Sequence, residues 1–210
     1  ALPRLRLVGY VLAREWGSGE QQFPELPEWD DRFSMLKAEW LRWHKVYDEA
    51  FRIALGHAIW IAQVGSSPGE SGYVFTNFWP DSVWDDAQRC FVDAPEELKR
   101  AFHDIAIECM RQLLEDDLDE QTQHHVLLDV FLPLYRRRWR AFLLGYENVD
   151  EAEEVVEVLE PVLPREDLLF DQGYFALKRG GERATQVAEA CYRTYIEQFG
   201  PTDAVANNLA

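Results

Sequence analysis

Apolar residues recur at helical spacing through most of the chain. Phe33, Leu36, Trp40, Trp43 and Tyr47 fall on one face of a helix that Asp30 or Asp31 can cap, and the pattern predicts a run to about Gln63. Its second half, Ile53 to Ile61, is apolar nearly all round, which predicts a buried spine, with a break near Gly56. The segment Asp93-Ala94-Pro95-Glu96-Glu97 starts a second helix. Asp93 supplies a cap, Pro95 suits the first turn, and the two glutamates complement the helix dipole. Leu98, Phe102, Ile105, Cys109, Leu113 and Leu114 form its apolar stripe, to about Glu115. A third helix over about Gln121 to Leu144 carries Val126 to Leu134 as its core and is bent or divided at Pro133. Asp150 to Leu159, Glu166 to Lys178 and Glu182 to Phe199 read as three more, stopped by Pro161 and Pro164, by Gly180-Gly181, and by Gly200-Pro201.

Other stretches lack this period. Residues 1–28 read as an irregular N-terminal arm, in which Leu5 to Leu12 suits a short strand or a first helix. GSSPGESG, residues 65–72, is a loop by composition, and the YVFTNFWP that follows suits a short strand or an extended segment. The fold class expected is mainly α, a helical bundle or stacked helical hairpins, with room for one short β pair near the N-terminal third. The division expected is an arm over 1–28, a single helical domain over 29–200, and a frayed tail over 201–210. Within that domain, 150–200 is a candidate helical-hairpin subdomain. Gly173, Tyr174, Ala176, Gly180 and Ala184 resemble one tetratricopeptide unit, although Thr185 and Glu189 stand where that family has alanine and a large apolar residue.

Composition narrows the functions. Of 210 residues, 47% are apolar and 28% charged, a balance that excludes disorder throughout. The net charge of -17 disfavours nucleic acid and anionic lipid as partners, because both need a basic surface. Cys90, Cys109 and Cys191 are widely spaced and form no CxxC pair, so neither a disulfide framework nor a zinc site is expected. The N-terminus, with Arg4 and Arg6 early, lacks a clean apolar stretch, and no apolar run is long enough to span a bilayer. A cytoplasmic protein is expected.

Four constellations bear on chemistry. AFHDIA, residues 101–106, with GHAIWIA, residues 56–62, resembles the metal-binding segments of the HD-domain phosphohydrolases. That resemblance implies a divalent transition metal held by His57, His103 and Asp104, activating water for attack on a phosphate ester. The family's turn after the His-Asp pair is replaced here by Ala106-Ile107. Glu153-Glu154-Val155-Val156-Glu157 is similar to the EExxE helix of the all-α nucleotide pyrophosphohydrolases, but no ExxD helix follows; a solvated acidic face explains it. A carboxylate-bridged di-iron centre is excluded, because no acid stands three positions before a histidine.

The acidic knot Glu115, Asp116, Asp117, Asp119 and Glu120 suits recognition of a basic partner, with Trp79 and Trp84 as aromatic anchors beside a Gly/Ser loop. Glu147 to Glu160 adds seven more acids. Arg136-Arg137-Arg138-Trp139-Arg140 stands out as a basic run in an acidic chain. Arg136 and Arg140 share a helix face and suit an anion, or else neutralise the chain's own acids. No Walker loop or dinucleotide fingerprint is present, and Ser66, Ser67 and Ser71 sit in no nucleophile elbow.

The function expected is a non-catalytic protein-interaction module, immunity-, inhibitor- or chaperone-like, binding a basic or extended partner and needing no cofactor. The metal-dependent phosphohydrolase is the alternative, and a helical sensor with a small-ligand pocket between aromatic helices is a third reading.

Overall fold

The computed structural model describes residues 38, 41, 45–63 and 96–209, without the side chains of His57, Ile61 and Arg138. The described residues are mainly helical and contain no strand. Leu5 to Leu12 and residues 73–80, the candidates for a β pair, lie outside them, as do Asp93, Trp79 and Trp84. Among the described residues, no helix is long and apolar enough to cross a membrane. They divide into two compact units, the first ending at Val130 and the second beginning at Phe131.

In the first unit, α1 (Tyr47–Gln63) packs on α2 (Glu96–Glu115) and α3 (Glu120–Val126). Ala50, Phe51, Ala54, Leu55 and Ala58 are the buried stripe of α1, at the spacing that returns to one face every three or four residues. Phe51 meets Phe102 of α2 with ring centroids 5.2 Å apart. No break falls at Gly56; α1 begins instead just after Lys45, where φ is +62° and the Val46 N–H closes onto the Leu41 carbonyl at 3.0 Å. Gly56 sits inside α1, since a glycine in a helix costs only about 1 kcal/mol and tertiary packing overrides it. On α2 the buried face is Phe102, His103, Ile105, Ala106, Ile107, Met110 and Leu113. Leu114, placed in the stripe by sequence, is 44% exposed, because it follows Leu113 by about 100° of helix rotation.

The helix expected over Gln121 to Leu144 is neither simply bent nor cut at Pro133. A π-helical stretch, Leu127–Phe131, precedes α4 (Leu132–Leu134), which contains Pro133, and a second, Tyr135–Trp139, follows it before α5 (Arg140–Gly145). Proline has no N–H to give and its ring crowds the carbonyl four residues back, so the wider turn relieves the position without breaking the helix.

The second unit continues with α6 (Val149–Leu159), α7 (Arg165–Arg179), α8 (Glu182–Phe199) and α9 (Asp203–Leu209). Asn148 caps α6 by accepting from the Glu151 N–H. Lys178 donates to the carbonyls of Leu144 and Tyr146 at 2.9 and 2.7 Å, tying the end of α5 to α7. α7 and α8 form a hairpin closed by Gly180 and Gly181, at φ of +73° and +88°, a corner that side chains disfavour. Their core joins Leu169, Ala176, Ala188, Tyr192, Tyr195 and Val205. Val205 belongs to α9, so the tail expected to fray is instead a docked helix: its Asn208 donates to the Tyr192 hydroxyl at 2.9 Å.

Candidate functional site

The histidine and carboxylate proposed for a metal diverge. His103 is 1% exposed on the buried face of α2, whereas Asp104, about 100° further round the helix, is exposed. His57 lies in α1, its side chain outside the described set. No group of three metal-ligating side chains gathers among the described residues.

Glu115, Asp116, Asp117, Asp119 and Glu120 are all exposed, at and just beyond the end of α2. Asp119 has a local structural role. Its carboxylate accepts from the Thr122 hydroxyl at 2.7 Å and the Thr122 N–H at 3.0 Å, capping α3. Those two bonds, the hydroxyl's first, hold its carboxyl below the usual range.

Arg136 and Arg140 do come together, on carboxylates of α7. Arg140 donates from Nε and Nη2 to Asp171 at 2.8–3.0 Å and from Nη1 to Asp167 at 2.9 Å, while Arg136 reaches Asp167 at 3.3 Å. The Tyr135 hydroxyl donates to Asp171 as well. Tyr135, which opens the π-helical stretch, and Arg140, which follows it at the start of α5, therefore serve one carboxylate that is completely buried. Burial pushes the Asp171 carboxyl above its usual range, against the pull of the Arg140 and Tyr135 hydrogen bonds. The guanidinium of Arg140 also lies 5.6 Å from the Phe170 ring centroid. A cavity of about 400 Å³ opens over this cluster, lined by cations (Arg136, Arg137, Arg140) and acids (Glu166, Asp167) alike. Arg140 serves the chain's own carboxylates, and the lining charges of this cavity largely cancel.

The larger cavity, about 760 Å³, is a groove where three helices converge. α7 contributes Gln172, Phe175, Ala176 and Arg179, α8 contributes Glu182, Arg183, Ala184, Val187 and Cys191, and α6 contributes Glu153 and Glu157. The α6 and α7 sets follow the three-and-four spacing of a single helix face, as do Ala184, Val187 and Cys191 of α8, beside the first residues of that helix at the glycine corner. Its apolar side includes Val187, 48% exposed, and its acidic wall is α6. Glu153 is pushed up by burial, in part offset by Arg179, which bonds both it and Asp150. The Cys191 thiol is also pushed up by burial.

No protein family, curated protein or solved structure matches this chain.

The groove's character thus comes from its own residues: apolar groups on α7 and α8, the carboxylates Glu153 and Glu157 on α6, and two arginines, Arg179 and Arg183, at the end of α7 and the start of α8. In the sequence, Glu153 and Glu157 belong to a solvated acidic face within Glu147 to Glu160, the stretch of acids that also suits a basic partner. The one signal available was the spacing of Phe175, Ala176 and Arg179 with Ala184, Val187 and Cys191, which marks two helix faces but does not say that they border the same space.

Proposed function

We propose that this chain is a non-catalytic protein-interaction module, immunity-, inhibitor- or chaperone-like, that receives an extended basic segment of a partner protein in the α6–α7–α8 groove. The observation that carries the reading is the pairing of an apolar side with an acidic wall in a single groove of about 760 Å³. An extended segment presents side chains alternately to its two sides, so one strip can be apolar and the other cationic. The net charge of -17 supplies long-range attraction for such a partner, and the exposed acids from Glu115 to Glu120 strengthen it.

The test uses a fluorescein-labelled nonapeptide in which two arginines alternate with leucine and valine, and a second peptide with glutamates in place of the arginines. Anisotropy titrations are expected to show binding of the arginine peptide alone, weakened by salt and by Glu153→Gln with Glu157→Gln. Alkylation of Cys191, followed by mass spectrometry, is expected to slow when that peptide is bound. Equal binding of both peptides, no binding, or an unprotected Cys191 would refute the reading.

A further inference from the structure

The groove already contains cations of its own, Arg179 and Arg183, and the first of these is engaged with the acidic wall. Arg179, the last residue of α7, turns back to bond the carboxylates of Asp150 and Glu153 through one terminal nitrogen. Its side chain is 50% exposed and that of Asp150 85%, so solvent screens the pairs and their net contribution to stability is small. The corner beside it is open. Gly180 and Gly181 follow, and nothing lies within 4 Å of where a β-carbon on either would stand. Glu157, one helical turn beyond Glu153, extends the acidic wall along the groove.

We propose that Arg179 is an internal stand-in for an arginine of the partner. The incoming guanidinium enters beside the glycine corner, displaces Arg179 from Glu153 and Asp150, and spans to Glu157, while Val187 receives the neighbouring aliphatic side chain. A planar fork of donors matches paired carboxylates better than a point charge does, so arginine is selected over lysine. The device makes the groove discriminating: a partner must outcompete a resident cation, and a weakly basic segment does not. This inference rests on the groove reading above.

The experiment compares the wild-type protein with Arg179→Gln, using the same arginine nonapeptide and its lysine counterpart. The variant is expected to bind the arginine peptide about threefold tighter or more, since it removes a competitor and one positive charge. In both proteins the arginine peptide is expected to bind more tightly than the lysine peptide. Adding Glu153→Gln to the variant is expected to cancel the gain. Binding by the variant alone overturns the proposal together with the groove reading, because the wild-type groove then receives no partner.

If the wild type binds with Cys191 protected and Arg179→Gln binds no more tightly, the stand-in role is wrong and the groove reading survives. Equal binding of arginine and lysine peptides likewise overturns the arginine selection. If neither protein binds, or Cys191 stays unprotected, both readings fall. Circular dichroism checks that the variant is folded; should it not be, Arg179→Met carries the same expectations.

Discussion

The ring of Tyr192 rests directly on Gly173: a β-carbon at 173 would stand 2.8 Å from its Cε1 and 2.9 Å from its Cζ. The ring is completely buried, and the hydrogen bond from Asn208 holds its hydroxyl on the α9 side. Gly173→Ala in an exposed helix would gain about 1 kcal/mol of propensity. Here the clash dominates, and the substitution is expected to lose about 1–3 kcal/mol in urea denaturation. Combining it with Tyr192→Leu is expected to cost less than the sum of the two. A stabilising Gly173→Ala would show that the ring can move aside.

Removing Arg140 leaves the Asp171 carboxylate buried with only the Tyr135 hydroxyl to serve it. Arg140→Met is expected to cost about 3–5 kcal/mol, the usual penalty for orphaning a buried charge. Arg140→Met with Asp171→Leu is expected to recover a large part of that, because no charge remains to be solvated. Equal losses in the single and double variants would contradict this coupling.

Lys45 sits in the left-handed region with φ of +62°, where a β-carbon crowds the following carbonyl. Lys45→Gly is expected to raise stability by about 1 kcal/mol, read as a higher thermal midpoint. Lys45→Val, whose branched β-carbon suits that conformation worse, is expected to lower it. A glycine variant no more stable than the wild type would refute the strain.

Cys109 is held protonated by its surroundings. Burial pushes its thiol up to about 11, with Arg52 opposing the shift and Glu108 adding to it. The thiolate is the nucleophile, so at pH 8 only about one thiol in a thousand is reactive. Iodoacetamide labelling of Cys109 in the folded protein is expected to be slow at pH 8 and to climb about tenfold per pH unit up to pH 10. Because the folded value lies above the ordinary 9.0, the protonated thiol's contribution to stability is complete below pH 9 and lost as pH rises towards 11. Rapid labelling at pH 8 would overturn the assignment.

Much of the helical framework was legible in one dimension. Glu182–Phe199 matches its expected bounds, and Val149–Leu159 and Arg165–Arg179 match within a residue. Caps, prolines and glycines act on the backbone within a turn of themselves, so their effect can be read from neighbours alone. The left-handed turn at Lys45 was not legible, because a residue other than glycine enters that conformation only where the surrounding structure holds it there. The π-helical stretches around Pro133 were not legible either, since their wider turn depends on how the helix reconciles a missing N–H with its buried face.

The sequence by itself determined the helical class, the turns that end α6, α7 and α8, and the negative charge. Each depends on local backbone chemistry or on a sum over residues. Only the tertiary structure decided that His103 is buried while Asp104 faces water, that Tyr135 and Arg140 converge on Asp171, and that three helix faces enclose one groove. Those relations join distant residues, Tyr135 and Asp171 being 36 positions apart, and side-chain chemistry does not encode which faces will meet. That is settled when the whole apolar surface is buried at once.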